Sequence, residues 1–171
     1  VEPEEVAKII SRCGELGIHH FDTARAYGDS ESVLGGILER EVCITTKIPP
    51  RVNDGMTDSE WIMININNSL SSLRRHHLDE LLFHRSSDLV KCNSLEINRV
   101  LGNLKRTGLV KNFGVSLYEF DDIDYLISNY DIDIIQAPFN IIDTRLASDG
   151  WLKFFKKRGI RIDVRSAFLQ G

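Results

Sequence analysis

Apolar residues recur along this chain in two alternating patterns, one with helical spacing and one in short continuous runs. From Val6 to Leu16 the apolar positions share one helical face, and Gly17 follows where a helix would end. The run 18–24, which closes on FDTA, has room only for a buried strand. The same two patterns return along the rest of the chain and predict repeated strand and helix units.

Six strands separated by helices are predicted in this way. The expected strands are 18–24, 41–47, 79–84, 110–116, 132–140 and 160–166. The expected helices are 6–16, 30–40, 57–73, 95–106, 120–127 and 151–155, the third opened by a capping box at Thr57 and Glu60. Alternating apolar strands and helices are typical of a parallel sheet covered by helices, either an open doubly wound sheet or a closed (β/α)₈ barrel.

Polar residues near the strand ends distinguish a closed barrel from an open sheet. One such residue lies near the carboxyl end of each successive strand: Asp22, Lys47, His84, Ser116, Gln136 and Arg165. In a barrel these ends form one rim around one pocket, whereas an open sheet spreads them over two sides. The pattern therefore favours a barrel with a functional site at its rim.

Composition and charge exclude several classes of protein. A chain of 171 residues with 42% hydrophobic and 27% charged residues suits one globular domain. Its net charge of −4 gives no basic stripe for nucleic acid or an anionic membrane surface. Three widely separated cysteines argue against a disulfide framework or a zinc knuckle, and no apolar run is long enough to span a membrane. We expect a cytoplasmic protein without a nucleic-acid or membrane partner.

Five ordered segments carry a more specific signal. The stretch 17–35, GIHHFDTARAYGDSESVLG, resembles the signature of the aldo-keto reductase family. Four later segments resemble further blocks of that family in the same order: ITTK at 44–47, LDELLFHR at 78–85, GLVKNFGVS at 108–116 and QAPFN at 136–140. The resemblance implies a (β/α)₈ barrel with about six of eight units present. Residues 1–171 are then a partial barrel domain without the first and last strands.

The resemblance also implies a carbonyl-reducing catalytic set. Tyr27 is the expected general acid, Lys47 and Asp22 its modulators, and His84 the group that orients the carbonyl. A phenol with a reference pKa of about 10 is a poor acid at neutral pH, and we expect the Lys47 ammonium to tune it. Asp22 would keep that ammonium charged among apolar strands. It is the joint spacing that supports these roles, since each residue alone is ordinarily a cap or a surface group.

A hydride donor must be a bound cofactor, because no side chain can supply a hydride. The family implies a nicotinamide, usually NADPH, with NADH as the other possibility. No Rossmann or P-loop motif follows a strand, so the nucleotide must be held differently. The expected cofactor-binding residues are Ser116, Gln136, Arg165, Ser166, Phe168 and Gly171.

Some of these cofactor assignments have alternatives. Ser116 and Gln136 could instead cap a helix or satisfy loop backbone groups. Arg165 stands where many members stack a tyrosine on the nicotinamide, and its guanidinium plane could do the same. Leu117 replaces the common family asparagine after Ser116, which removes one expected carboxamide hydrogen bond.

Other conspicuous residues are given structural interpretations. Adjacent histidines in a strand point to opposite faces, so we do not expect His19-His20 or His76-His77 to hold a metal, and no metal site is predicted. Cys43 is expected to be a buried strand residue next to the rim.

Three functional classes fit these observations. The first is an NAD(P)H-dependent reductase that converts an aldehyde or ketone to an alcohol, although a chain lacking two strands is expected to turn over weakly. The second is a cofactor-binding or channel-associated auxiliary subunit of the same fold. The third is a metal-dependent barrel isomerase or hydrolase. The carbonyl substrate and the oligomeric state cannot be predicted, because specificity in barrels depends on loops.

Overall fold

In a computed structural model that describes residues 3–39, 41–52 and 54–169, strands and helices alternate along the chain. The strands are β1 (His20–Asp22), β2 (Cys43–Ile48), β3 (Leu78–Phe83), β4 (Val110–Ser116), β5 (Ile134–Pro138) and β6 (Arg161–Arg165). The helices are α1 (Pro3–Glu15), α2 (Ser30–Ile37), α3 (Asp58–Leu73), α4 (Ser86–Lys91), α5 (Ser94–Arg106), α6 (Ile123–Asn129), α7 (Arg145–Ser148) and α8 (Trp151–Lys157). All six predicted strands and six predicted helices are confirmed, with ends shifted by a few residues.

The six strands form one parallel sheet in chain order, β1 to β6. Side chains on its inner face meet across several strands: Gln136 on β5 donates to Asp22 on β1 at 2.9 Å, and Arg161 on β6 donates to Glu80 on β3 at 2.5 Å. In a flat sheet, strands four and three places apart would lie about 19 and 14 Å from each other. These contacts therefore require a strongly curled sheet, the half-barrel expected from the rim pattern.

The outer face of the sheet carries the apolar core. Trp61 and Ile62 of α3 are buried against β2 and β3, and the Phe83 ring lies 5.3 Å from Trp61 and 5.2 Å from Phe113. The capping box that opens α3 is present: the Thr57 hydroxyl accepts from the backbone of Glu60, and the Glu60 carboxylate accepts from the backbone of Thr57. The predicted start of this helix is confirmed.

The inner face carries buried polar side chains beside apolar ones such as Leu82 and Ile134. Lys47, Glu80, Ser116 and Gln136 are all at most 6% exposed. Burial tends to raise the pKa of Glu80, but hydrogen bonds from Arg161 and Thr45 outweigh it and hold that pKa below its ordinary value. The half-barrel thus has an apolar outer layer and an interior in which buried polar groups such as Lys47 and Glu80 are hydrogen-bonded.

Two short helices, α4 and α7, were not predicted. The polar stretch RSSD at 85–88 shows no helical pattern, yet its last three residues open α4, where Leu89 is fully buried and Asp88 accepts a hydrogen bond from the backbone of Arg51. Helices of four to six residues carry too few turns to show a periodic pattern.

The expectation that Cys43 lies next to the rim is wrong. Cys43 is the first residue of β2, whereas the rim residue Lys47 follows four positions later. The thiol is therefore at the opposite, amino-terminal end of the half-barrel. Among the described helices, none has the length and apolarity that a bilayer crossing requires.

Candidate active site

The polar residues predicted at the rim do lie at the carboxyl ends of successive strands. Asp22, Ser116 and Arg165 are the last residues of β1, β4 and β6, and Lys47 is the last but one in β2. His84 directly follows β3, and Gln136 lies in β5 beside Ser116. The curl of the sheet turns these ends toward one another.

An ion pair between the buried Lys47 and the partly exposed Asp22 forms the floor of the site. The Lys47 ammonium is 1% exposed and donates to both carboxylate oxygens of Asp22, at 2.7 and 2.6 Å, and to the backbone carbonyl of Thr23 at 2.9 Å. Burial lowers the pKa of Lys47, and the Asp22 charge and hydrogen bond oppose that shift. Asp22 also accepts the hydrogen bond from Gln136, so its orientation is fixed from two sides.

Tyr27 lies above this ion pair, in the loop between β1 and α2. Its backbone amide donates to Ala24 at 3.0 Å, which holds the loop in a tight turn. The Lys47 ammonium is 5.2 Å from the centre of the Tyr27 ring, and the His84 ring meets it edge-on with centroids 5.6 Å apart. The structure therefore brings Asp22, Tyr27, Lys47 and His84 into one cluster.

The expected tuning of Tyr27 is not present in this arrangement. Burial, followed by the charge of Asp22, raises the pKa of Tyr27 above its ordinary value. Among the described residues no hydrogen bond joins the Tyr27 hydroxyl to Lys47, whose donors go to Asp22 and Thr23. The phenol is consequently protonated at neutral pH, the form that a proton donor requires.

The surroundings of His84 favour the uncharged form of its imidazole. Its backbone amide donates to Ile48 at 3.1 Å, which extends the strand pairing to the rim. Burial lowers the pKa of His84, and the positive charges of Lys47 and Arg85 lower it further. Within the described residues its buried Nδ1 has no hydrogen-bond partner. In the neutral tautomer that carries its proton on Nε2, the imidazole donates a hydrogen bond from Nε2, on the side of the ring away from Nδ1.

Ser116 and Gln136 are neighbours across β4 and β5 and are 2% and 6% exposed. Since the Gln136 amide nitrogen donates to Asp22, its amide oxygen is left to accept. Leu117 points into the apolar core and is fully buried, so only its backbone is turned toward the rim. That backbone carbonyl accepts from Arg165 at 2.8 Å.

The guanidinium of Arg165 lies over an aromatic ring, but this ring is the side chain of Tyr118 and not a nicotinamide. Its guanidinium carbon is 4.3 Å from the centre of Tyr118, and its Nε is buried without a hydrogen-bond partner in the described chain. Ser166 follows in a left-handed backbone conformation, and Phe168 is 89% exposed. Gly171 lies outside the described residues.

A cleft of about 570 Å³ opens beside the cluster. It is lined by residues from four loops and from the start of α4: Ala26, Pro50, His84, Arg85, Ser86, Ser87, Tyr118, Glu119 and Asp122. The sequence analysis missed Tyr118, which contacts Arg165 and borders this cleft. An exposed tyrosine two positions after a strand end carries no periodic signal that could have identified it.

Comparison with known proteins agrees with this geometry. The profile described as "Aldo/keto reductase family" matches residues 1–171. The chain belongs to the aldo/keto reductase family. The holo-form structure of the aldo-keto reductase AKR11C1 from Bacillus halodurans superimposes with a TM-score of 0.84 at 22% identity, over 99% of this chain and 59% of that one. The predicted barrel-type fold is confirmed.

Two curated relatives are similar in sequence. An uncharacterized oxidoreductase of Bacillus subtilis, YqkF, is 24% identical over 99% of this chain and 58% of its own length. The 6-dehydroglucose reductase of Novosphingobium aromaticivorans is 30% identical over 71% of this chain and 44% of its own length. The chain thus spans about half the length of these relatives.

Proposed function

We propose that this protein reduces an aldehyde or ketone to an alcohol with a nicotinamide cofactor, NADPH in preference to NADH. The observation that carries the proposal is the convergence of Asp22, Tyr27, Lys47 and His84 at the edge of one cleft. Membership of the aldo/keto reductase family supports it. Relatives named as reductases and dehydrogenases also support it.

Tyr27 has the role of proton donor. When hydride reaches a carbonyl carbon, the oxygen becomes an alkoxide that must take a proton. The Tyr27 hydroxyl is protonated at neutral pH, half exposed, and free of other hydrogen bonds in the described structure. Donation leaves a phenolate, and the Lys47 ammonium 5.2 Å from the ring centre stabilises that charge.

His84 and Asp22 support this proton transfer in two different ways. His84, kept neutral by burial and by Lys47, donates a hydrogen bond to the carbonyl oxygen and so orients the substrate. Asp22 binds the Lys47 ammonium with both oxygens and keeps a buried cation paired. Without Asp22, Lys47 would be buried and unpaired, and its pKa would fall further.

The residues around the rim fit a nicotinamide. Ser116 and the free amide oxygen of Gln136 offer a buried donor and acceptor side by side, which suits a carboxamide. Arg165, with its unpartnered Nε, presents a planar cation beside them. Ser166, Phe168 and Gly171 are proposed to bind the pyrophosphate end. The bound cofactor supplies the hydride.

Replacement of Tyr27 by phenylalanine tests the proposal. Measured in a full-length version of the protein, Tyr27→Phe should lower kcat for reduction of a simple aldehyde by about 10²- to 10⁴-fold, the usual contribution of a general acid. The affinity for NADPH, followed by fluorescence titration, should stay within about twofold, because the phenol hydroxyl is not assigned to the cofactor.

Tyr125→Phe is the matched control, since this partly exposed tyrosine lies on α6 outside the cluster. It should retain the turnover of the parent protein. Unchanged turnover in Tyr27→Phe would contradict the proposed proton donor. Tight NADPH binding without turnover in the parent protein would instead favour an auxiliary binding subunit.

A further inference from the structure

A second cluster of polar side chains lies inside the half-barrel, toward the amino-terminal ends of the first three strands. His20 on β1, Cys43 on β2 and Glu80 on β3 all point to the interior. His20 Nε2 is 3.2 Å from Glu80 Oε2, and Cys43 Sγ is 3.6 Å from Glu80 Oε1. One nitrogen, one sulfur and one oxygen thus lie within 4.8 Å of one another.

These separations are short enough for one metal ion to bind all three residues, with His20 beside Glu80 Oε2 and Cys43 beside Glu80 Oε1. Zinc bonds of about 2.0–2.3 Å at the tetrahedral angle separate nitrogen and oxygen ligands by about 3.3 Å, and sulfur and oxygen ligands by about 3.6 Å. We propose that His20, Cys43 and Glu80 bind one divalent transition-metal ion of the zinc class, and that the Cys43 thiol, which donates to Glu80 in the metal-free cluster, releases its proton to solvent when the metal–sulfur bond forms. The mixed imidazole, thiolate and carboxylate set selects such an ion over magnesium or calcium.

The groups around the cluster can accommodate a cation. Arg161, which donates to Glu80, also makes two 2.9 Å hydrogen bonds to Asp163. A metal can therefore take the Glu80 carboxylate without leaving the Arg161 guanidinium unpaired. Thr45 donates to Glu80 at 2.6 Å and orients the carboxylate, as residues outside a coordination shell commonly do.

One coordination position is left for water. The His20 side chain is 43% exposed, so solvent reaches the imidazole side of the cluster, whereas Glu80 is 2% exposed. Three protein ligands and one water complete a tetrahedron. His84 of the candidate active site follows Glu80 by four residues along β3, about 13 Å of extended chain. The proposed site is therefore separate from the catalytic cluster and does not depend on the proposed reductase function.

Cobalt binding tests the proposal directly. Tag-free full chain would be titrated with Co²⁺ alone, because a thiolate ligand gives an intense charge-transfer absorption in the near ultraviolet. One Co²⁺ per chain with that absorption is expected, and excess Zn²⁺ should displace it, whereas Mg²⁺ should not. Zinc content of the dialysed protein, measured by elemental analysis, should then also reach one ion per chain.

Single substitutions assign the ligands. Cys43→Ser should abolish the thiolate absorption, and both Cys43→Ser and His20→Asn should weaken binding by at least about tenfold. Cys92→Ser and His19→Asn are the matched controls and should bind as the parent chain does, with circular dichroism confirming that all four variants fold. Absence of stoichiometric Co²⁺ binding to the parent chain, or an unaltered thiolate absorption in Cys43→Ser, would overturn the proposal.

Discussion

At the scale of single residues, burial decides the charge that each group in the candidate active site carries. Burial and Asp22 raise the pKa of Tyr27, which favours the protonated phenol, and burial and nearby cations lower the pKa of His84, which favours the neutral imidazole. Lys47 has a lowered pKa but keeps both oxygens of Asp22 as partners. The site therefore holds one ion pair beside two neutral hydrogen-bond donors.

These directions predict the pH dependence of reduction. Reduction requires His84 neutral and Tyr27 protonated, so kcat/KM should be flat across neutral pH. Its acidic limb should lie below the ordinary histidine pKa of about 6.5. Its alkaline limb should reflect loss of the protons of Lys47, whose pKa is lowered by burial, and Tyr27, whose pKa is raised by burial. Initial rates at saturating cofactor from pH 5 to about 10.5 measure this window.

The variant His84→Asn provides the control for that profile. It cannot acquire charge, so the acidic limb should vanish while the alkaline limb stays in place. An acidic limb that persists in His84→Asn would contradict its assignment to His84.

Residue identities could be predicted from the sequence, whereas their electrostatics could not. The spacing of Asp22, Tyr27, Lys47 and His84 was sufficient to group them, and the structure does bring them together. The direction of the Tyr27 pKa shift depends on how far the ring is buried and on how near the Asp22 charge lies. That is a matter of three-dimensional distances, which no spacing along the chain encodes.

At the scale of elements, close packing of two helices positions the loop that carries Tyr27. Gly35 on α2 lies against the backbone of Ser72 and Leu73 at the end of α3, and an added Cβ there would overlap the Ser72 carbonyl oxygen. Gly36, the next residue, has open space around its Cβ position. The helix therefore has room for a side chain at position 36 but not at position 35.

The two glycines give a matched pair of variants. Gly35→Ala should destabilise the protein by about 1–3 kcal/mol through overpacking. Gly36→Ala should be neutral or stabilise it by about 0.5–1 kcal/mol, because alanine favours the helix. Urea unfolding monitored by circular dichroism measures both values. Equal destabilisation by the two variants would show that α2 does not approach α3 in this way.

Length explains which elements the sequence could predict. The 16 residues of α3, with a capping box at their start, give a clear helical period, and all six strands follow from apolar runs bounded by turns. The helices α4 and α7 have six and four residues, and their formation depends on tertiary contacts such as the buried Leu89.

At the scale of the whole molecule, the curl of the sheet creates both proposed sites. It brings Gln136 on β5 to Asp22 on β1 at the rim, and Arg161 on β6 to Glu80 on β3 in the interior. The sequence predicted the rim because polar residues at strand ends are conspicuous. The interior cluster was missed because His20, Cys43 and Glu80 come from three strands and look like isolated residues.

Transfer of deuterium tests the central claim most directly, because it requires every part of the proposed site at once. A full-length version of the protein would be incubated with simple aldehydes and ketones and NADPH deuterated at the transferable position of the nicotinamide. Mass spectrometry of the products should find an alcohol with one deuterium on the former carbonyl carbon. Absence of any alcohol from this panel, or an alcohol without deuterium, would contradict the account.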